Sequence, residues 1–241
     1  MQNKINSATL KVLSQITKEN GFKKRGTSFF KINGDGVLQV IKPEYERNLP
    51  HWDLRIGLFS MYGTLDREWF TSGGCIPQYS ICLMNGYSGP VVGNVINGEL
   101  FMEIIDLGKQ IELLSEKGFL FLDAIKTQVQ LSKAINCLEE KKGSIRWNDG
   151  NKIAPYLVAE NYSMAEKVII SILQQHGVSV QETSKESKSY ASPRTSYTTS
   201  AEDMELQRIL DWIQHNDRDA ICMYLSGNVN RNMQYAKFMV K

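Results

Sequence analysis

The chain has 241 residues, which exceeds one typical domain and falls short of two large ones. Apolar residues make up 42% of the sequence and aromatic residues 10%, so a packed core is expected and a wholly disordered chain is excluded. The 28 basic and 26 acidic residues leave a net charge of +2, which excludes the strongly basic composition of a dedicated nucleic-acid-binding protein.

Helical spacing of apolar residues predicts a helix over 5–19, and Asn20-Gly21 is a typical helix end. A strand is predicted over 27–32 and a second one through Ile41. The turn Asn-Gly-Asp-Gly at 33–36 joins them, since Asn-Gly and Asp-Gly are strong hairpin signals. The segment therefore predicts an antiparallel hairpin behind a leading helix.

The faces of this hairpin depend on the length of its loop. We expect an even loop, which places Phe30 with Gln39 on one face and Phe29 with Val40 on the other. Both faces are largely apolar, so both are expected to be covered. Pro43 is expected to close the second strand because proline cannot donate to a sheet ladder.

Further strands are predicted after the hairpin. Apolar residues alternate through 52–59, and weaker strand patterns occupy 79–84 and 100–105. No residue of 69–98 is charged, a length that could span a bilayer, but its many glycines and prolines would leave backbone groups unpaired in lipid. We interpret this segment as buried strands and tight loops.

The hydrophobic period changes to that of helices beyond position 106. A short helix is predicted over 107–114 with a stop near Gly118, followed by one long amphipathic helix across 122–138. Two more helices are predicted over 151–160 and 163–177. The sequence thus predicts a helical half after the strands.

These elements predict an α+β fold: an antiparallel sheet of four or five strands with a leading helix, followed by the helical half. One domain is expected over 1–180. Residues 181–203 are mostly polar, with many serines, threonines and lysines, and predict a flexible linker. Residues 204–241 are expected to form a small C-terminal helical segment, which could pair two chains as a homo-oligomer because short helices bury little alone.

One stretch carries a family resemblance. "GFKKRGTSFFKINGDGVLQVI", residues 21–41, follows an amphipathic helix and precedes "WDLRIGLF". It resembles the bacterial DUF4304 family, in which a Gly-Phe-basic-basic entry leads into a hairpin that ends in a glutamine-containing strand. The matching positions here include Gly21, Phe22, Lys23, Lys24 and Gln39. The resemblance covers about residues 1–140 and implies an α+β fold, with no catalytic residues.

The four cysteines stand at 75, 82, 137 and 222, without the regular spacing of a disulfide framework and without a CxxC pair for zinc. The first twenty residues lack the apolar stretch of a signal peptide, so a cytoplasmic protein with reduced thiols is predicted. Cys75 or Cys82 could be a nucleophile beside a histidine, but buried structural thiols are the more common case. No motif predicts a metal site or a cofactor.

Two polar groups of residues are candidates for partner binding. Lys23, Lys24 and Arg25 precede two phenylalanines, and basic residues beside aromatic ones can bind single-stranded nucleic acid. Gln39 and Arg55 each lie in mid-strand among apolar neighbours, where each must find a partner. They either bond to each other, a loop carbonyl or a water, or lie on an exposed patch of the sheet that binds a partner.

The leading hypothesis is a cytoplasmic, non-catalytic module that binds a protein partner, since no catalytic site is recognisable and a long tether joins the helices. A narrower version, by analogy, is an immunity-type protein that neutralises a toxin. One alternative is an enzyme whose site includes Cys75 or Cys82 within 69–98. The other is a weak nucleic-acid binder that uses Lys23, Lys24 and Arg25.

Overall fold

A computed structural model gives the structure of residues 5–46, 51–65, 95–96, 99–100, 107–140, 149–178 and 200–240. A leading helix precedes a four-stranded antiparallel sheet, and helices follow the sheet. The predicted α+β fold is therefore confirmed.

The leading helix and the sheet come from the first sixty residues. They are α1 (Ser7–Glu19), β1 (Lys23–Arg25), β2 (Ser28–Ile32), β3 (Val37–Glu46) and β4 (His51–Ser60). Each strand pairs with the next, so the order is β1-β2-β3-β4 and the sheet has β1 and β4 as its edges. A separate short hairpin consists of β5 (Val95–Ile96) and β6 (Glu99–Leu100).

Helix α1 lies on one face of the sheet. It begins where the Asn6 side chain accepts a hydrogen bond from the Ala8 N–H at 2.9 Å, and it presents the buried Leu13 to the sheet. Residues of α1, the sheet and the following helices share one core. Its members include Leu13, Phe22, Phe29, Val37, Ile41, Leu54, Ile56, Leu58, Ile111, Leu114, Phe119, Leu122, Ile125, Leu131 and Ile135.

The β2–β3 hairpin differs by one residue from the predicted register. Phe29 pairs with Ile41 and Phe30 with Val40, so Phe29, and not Phe30, shares a face with Gln39. The predicted pairing of faces was wrong, because a shift of one residue moves every side chain of a strand to the other face. The expectation that both faces are covered is confirmed, since Phe29 and Phe30 are both buried.

Gly36 causes this difference. The Asn33 N–H donates to the Val37 carbonyl at 2.9 Å, which leaves an odd loop of three residues. Gly36 ends the loop with a φ of +71°, the left-handed conformation found at a G1 bulge. A side chain here would also crowd the ring of Tyr62, whose Cε2 lies 3.0 Å from the position a Cβ would take.

Strand β3 continues through Pro43, so the prediction that this proline closes the strand was wrong. Pro43 pairs with Leu54, whose N–H donates to Oε1 of Gln110 at 2.6 Å. The Leu54 N–H therefore points away from β3, and the pair is a non-hydrogen-bonded one. Proline is tolerated in such a pair because its nitrogen faces away from β4, past the last β2 residue that pairs with β3.

The helices after the sheet are α2 (Leu107–Leu113), α3 (Phe119–Ala124) and α4 (Gln128–Glu140). A π-helical turn, Leu114–Gly118, joins α2 to α3, so Gly118 does not stop the helix as predicted. Gly118 has helical dihedral angles, with φ −63° and ψ −44°. A Cβ at this position would lie 2.7 Å from Cδ1 of Leu114, so glycine leaves the space that Leu114 fills.

The helix predicted across 122–138 is broken between α3 and α4. Ile125 leaves the helical conformation, with φ −116° and ψ 81°. Nε2 of Gln39 donates to the carbonyls of Leu122 at 2.7 Å and of Ile125 at 3.1 Å. A buried side chain of the sheet thus satisfies the carbonyls at the end of α3, which the local sequence pattern does not reveal.

The remaining helices are α5 (Asp149–Val158), α6 (Tyr162–Gln175), α7 (Ala201–Gln214) and α8 (Arg218–Val240). They share a second core, whose buried members include Ile153, Tyr156, Leu157, Ala165, Ile169, Leu173, Leu206, Ile209, Leu210 and Ile221. Residues 201–203 of the predicted linker belong to α7. Ser200 is its N-cap residue, and residues 181–199 lie outside the described residues.

The C-terminal helices pack on their own chain. Ala236 and Val229 of α8 lie against the face of the sheet opposite α1, in a cluster with Phe30. Nδ2 of Asn232 donates to the carbonyls of Met61 and Gly63 at 2.8 and 2.7 Å. The premise that these helices bury little was wrong, since they cover the sheet of their own chain; a homo-oligomer stays a prediction.

Three predicted segments fall largely where the structure gives no description. The strand predicted over 79–84 lies outside the described residues, and of the strand predicted over 100–105 only Leu100 is described, in β6. The charge-free segment 69–98 is described only at β5. Among the helices in the described part of the chain, none combines the length and apolar character needed to cross a membrane.

Candidate functional site

A groove of about 510 Å³ lies between α1 and the hairpin of β1 and β2. The residues that line it are Ser14, Lys18, Phe22, Lys23, Lys24 and Phe29. Three of these six residues are lysines and none is acidic. Its volume lies within the range of about 300–1,000 Å³ that is typical of ligand pockets. We call it the lysine groove.

The turn between α1 and β1 creates the lysine groove. Gly21 takes a φ of +80°, and its N–H donates to the Lys18 carbonyl at 3.0 Å. The next N–H, of Phe22, donates to the Thr17 carbonyl at 3.0 Å. These two bonds form a Schellman motif, which reverses the chain directly after the helix. Lys18 of the last helical turn therefore faces β1 across the groove.

Lys24 is held in place by two contacts inside the groove. Its Nζ donates to Oγ of Ser14 at 2.9 Å, which ties β1 to the middle of α1. The same Nζ lies 5.8 Å from the centre of the Phe29 ring, within the range of a cation–π contact. These contacts fix the ammonium group of Lys24 at the groove wall.

The aromatic rings of the groove are covered. Phe29 is 1% exposed and Phe22 is 5% exposed. Nζ of Lys31 lies 5.5 Å from the centre of the Phe22 ring and pairs with Asp123 at 3.2 Å. Lysine cations therefore lie over both rings. The rings support the lysines and offer no open face on which a nucleic-acid base could stack.

The groove has an excess of positive charge. Within the part of the chain that the structure describes, no carboxylate forms an ion pair with Lys18, Lys23 or Lys24, and all three side chains are exposed. An ammonium group is a compact, strongly hydrated charge with three donors. The groove can therefore bind an anion without first breaking an internal ion pair.

The predicted binding residues have different locations. Lys23 and Lys24 line the lysine groove, whereas Arg25 is half-buried at the end of β1 and does not line it. Gln39 is 0% exposed and bonds to carbonyls of the helical segment, so its interpretation as part of an exposed patch was wrong. The other interpretation of Gln39, a bond to a loop carbonyl, is confirmed at Ile125. The side chain of Arg55 lies outside the described residues.

Sequence analysis missed Ser14, Lys18 and Phe22 as groove residues. Ser14 and Lys18 are four residues apart, which places them on one face of α1. Phe22 is the residue directly after the left-handed Gly21. The spacing in α1 together with the Asn20-Gly21 helix end could have indicated that this face meets β1.

A histidine, an aspartate and a serine meet between α6 and α7. Nδ1 of His176 lies 2.6 Å from Oδ1 of Asp203, and Oγ of Ser200 donates to Oδ2 of Asp203 at 2.7 Å. The bond from His176, and then those from Ser200, lower the pKa of the Asp203 carboxyl below its usual value. A nucleophilic triad needs the serine bonded to the histidine. Here the aspartate lies between them and completes the capping box of α7, in which Ser200 is the N-cap residue.

A second polar cluster joins the sheet to the C-terminal helices. Oε1 of Glu205 accepts from the Thr64 hydroxyl at 2.9 Å and from the Tyr224 hydroxyl at 2.7 Å. Burial raises the pKa of Tyr224 to about 12, so this phenol stays protonated and serves as a donor. The cluster fastens α7 and α8 to the end of β4.

No other chemical site emerges from the described side chains. Among them, no group of three or more histidine, cysteine, aspartate or glutamate residues is placed to hold a metal ion. Cys75 and Cys82, the candidate nucleophiles, lie outside the described residues. Cys222, on α8, is described and is exposed.

Comparisons of the chain with protein-family models, with curated proteins and with solved structures found no match. The resemblance of residues 1–140 to the DUF4304 family stays a prediction. The lysine groove is therefore assigned from its own contacts, distances and charges.

Proposed function

We propose that this protein is a non-catalytic binding module whose lysine groove binds an acidic segment of a protein partner. The observation that carries the proposal is the set of three lysines, Lys18, Lys23 and Lys24, that share one groove without a carboxylate partner among the described residues. Carboxylates of a partner would supply the missing opposite charges. The groove lies between a helix and an edge strand, which suits a chain segment.

A protein segment fits this groove better than single-stranded nucleic acid does. Proteins that bind single strands combine basic side chains with aromatic rings on which bases stack. In this groove, Lys24 and Lys31 lie over the rings of Phe29 and Phe22. The groove therefore offers charge without a stacking surface, and charge alone suits a flexible acidic chain.

The chemistry of the described clusters supports the non-catalytic part of the proposal. The hydroxyl of Ser200 is bonded to a carboxylate and not to His176, so no base activates it. The phenol of Tyr224 is too weak an acid to exchange protons near neutral pH. The alternative of an enzyme with Cys75 or Cys82 concerns residues outside the described ones, and thiol-reactivity profiling of the whole protein would test it.

The test measures binding of a defined peptide. The probe is a fluorescein-labelled octapeptide that alternates threonine with glutamate, followed by fluorescence anisotropy at low salt. We expect saturable binding to the wild type, and about a tenfold or greater loss for the triple variant Lys18→Gln, Lys23→Gln, Lys24→Gln. Three exposed charge pairs at about 0.5 kcal/mol each account for that factor.

A matched control separates the groove from the overall charge. The triple variant Lys133→Gln, Lys167→Gln, Arg208→Gln removes the same charge from exposed positions on α4, α6 and α7. We expect it to bind the octapeptide as the wild type does. Equal losses in both triple variants would contradict the proposal. Tighter binding of an oligothymidylate of the same net charge would replace the acidic partner with a nucleic acid.

The groove variant is also the better control for finding the natural partner. Deleting the C-terminal helices would expose the face of the sheet that α8 covers, and would confuse lost binding with lost folding. A capture experiment from native extract with the wild type and the groove triple variant avoids this. We expect one protein partner that is captured by the wild type and lost with the groove variant alone.

A further inference from the structure

Among the described strands, β1 is an edge of the sheet, and the geometry of its hairpin determines which backbone groups face outward. Arg25 pairs with Ser28 across a two-residue loop, and Gly26, the first loop residue, has a φ of +59°. That conformation is the one a type II′ turn requires, and such a turn closes on a hydrogen-bonded pair.

Lys24 therefore forms the next pair, a non-hydrogen-bonded one, with Phe29. Residues in such a pair direct their N–H and C=O groups away from the partner strand. Their side chains also come closer together, in agreement with the Lys24 ammonium over the Phe29 ring at 5.8 Å. The backbone of Lys24 thus faces the outer edge of β1.

Along the outer edge of β1, the first backbone groups without a described hydrogen-bond partner are those of Lys24. Two residues earlier, the N–H of Phe22 is taken up by the Thr17 carbonyl, where α1 ends. Within the described part of the chain, the backbone N–H and C=O of Lys24 have no hydrogen-bond partner on that edge. One backbone donor and one acceptor are therefore available beside the lysine groove.

The opposite edge of the sheet shows what satisfies such a pair of groups. On β4, Oε1 of Gln110 accepts from the Leu54 N–H at 2.6 Å, and its Nε2 donates to the Trp52 carbonyl at 2.9 Å. The amide of this one side chain takes the place of a neighbouring strand. No described side chain does the same for Lys24.

We propose that the acidic segment binds as an extended strand that pairs with the backbone of Lys24 at the edge of β1, with its carboxylates on Lys18 and Lys24, which lie on the same side of the sheet as α1. This inference rests on the proposed function and adds the mode of binding. Strand addition provides affinity through backbone bonds and specificity through alternate side chains. Acidic residues at every second position of the partner are therefore expected.

Charge argues for an acidic partner and against a second copy of this chain. Two β1 strands paired edge to edge would bring Lys23 and Lys24 of one copy close to those of the other. Like charges on neighbouring strands destabilise the pair, and lysine is a common guard of exposed edges. An acidic strand converts the same lysines from a barrier into a binding site.

Backbone methylation of the probe tests the binding mode. Two forms of the threonine–glutamate octapeptide carry N-methyl groups, one on every glutamate and the other on every threonine. In a strand, alternate N–H groups point to the same edge, so only one form blocks pairing with Lys24. We expect that form to bind about tenfold more weakly, and the other form to bind within about threefold of the unmethylated peptide.

The outcomes separate this inference from the proposed function. If both methylated forms bind as tightly as the parent peptide, side chains alone make the contact, and the strand inference is overturned while the proposed function stands. If the parent peptide does not bind, the proposed function fails first. A dimer of the protein that dissociates on addition of the peptide would assign the edge to a second copy and overturn the inference.

A second readout needs no change to the peptide. Hydrogen exchange of the Lys24 amide, followed by NMR on the full chain, reports directly on pairing at this edge. We expect exchange at Lys24 to slow at least tenfold on saturation with the octapeptide, with no change at Gly34 in the turn of the next hairpin. Unchanged exchange at Lys24 in the saturated protein would overturn strand addition.

Discussion

The two edges of the sheet satisfy the same chemistry by opposite means. At β4 a helix covers the edge, and Gln110 of that helix fills the open backbone positions of Leu54 and Trp52. At β1 the edge reaches solvent, and lysines stand beside the open backbone groups of Lys24. A covered edge needs an internal partner, whereas a solvated edge needs protection against unwanted pairing.

The covered edge allows no alternative to Gln110. Leu54 is 0% exposed and Gln110 is 1% exposed, so water cannot replace the side-chain amide. A buried backbone group without a partner costs about 1–3 kcal/mol. Under the proposed function, the difference between the edges is therefore one between stability at β4 and selectivity for a partner at β1.

Replacement of Gln110 should have the largest effect on the free energy of unfolding. Gln110→Leu keeps the size of the side chain but leaves the buried Leu54 N–H and the half-buried Trp52 carbonyl unpaired, so we expect a loss of about 2–3 kcal/mol in the free energy of unfolding. Urea denaturation followed by circular dichroism measures it. The control Gln15→Leu changes an exposed glutamine of α1 and should stay within about 0.5 kcal/mol. Equal effects of the two substitutions would refute the role of Gln110.

A substitution in the turn between β1 and β2 should have the next largest effect on the free energy of unfolding. Gly26→Ala forces alanine into the left-handed conformation, although a Cβ there would meet no atom within 4 Å. We expect a loss of about 1–2 kcal/mol from the backbone conformation alone, measured by thermal unfolding. Gly34→Ala is the matched control, because Gly34 also has open space and lacks the left-handed φ. A neutral Gly26→Ala would remove the type II′ turn from the account of β1.

The comparison also shows what sequence patterns can predict. The leading helix, the hairpin and the order of strands before helices follow from local spacing and turn residues. The register does not, because it depends on whether Gly36 adopts a left-handed conformation within the turn. The glycines of the turn at 33–36 permit a loop with an even number of residues as well as one with an odd number.

The same limit applies to the two edges. Lys23 and Lys24 are recognisable from their position before a strand, but the groove also needs Lys18, which only the reversal at Gly21 brings near β1. Gln110 lies 56 positions from Leu54 in the sequence. A polar residue in an amphipathic helix resembles any solvated position, so its burial depends on how that helix packs on the sheet.

We expect the acid sensitivity of the fold to arise away from both edges of the sheet, because the side chains described at those edges are a glutamine amide and lysines. Asp203, between α6 and α7, has a pKa lowered in the folded state, so it stabilises the fold at neutral pH. That contribution is lost as the pH falls below about 4, because the unfolded chain takes up the proton first. Asp203→Asn should cost about 1 kcal/mol at pH 7, because the capping box with Ser200 and the bond to His176 lose the carboxylate.

The pH profile is the informative part of this measurement. We expect the stabilities of Asp203→Asn and of the wild type to converge as the pH falls from about 4 through the lowered pKa of Asp203, as followed by urea denaturation at each pH. Gln110→Leu should lower stability by the same amount across that range. A constant difference between Asp203→Asn and the wild type would mean that the carboxylate charge contributes nothing.

The smallest effect on stability is expected at the open edge itself. The variant Lys18→Gln, Lys23→Gln, Lys24→Gln loses the exposed bond from Lys24 to Ser14 and one cation–π contact, worth about 0.5–1 kcal/mol at an exposed site. It also relieves repulsion among three lysines. We expect its free energy of unfolding to stay within about 1 kcal/mol of the wild type. Thermal unfolding at low salt measures the difference.

The same variant should lose the acidic peptide, so stability and binding separate at β1 where they cannot separate at β4. If the lysines instead proved as important for folding as Gln110, the open edge would be a structural element like the covered one. Their charge would then be required by the fold, and selection of a partner would need another surface. A stable variant that has lost binding would establish that the two edges differ in purpose as well as in construction.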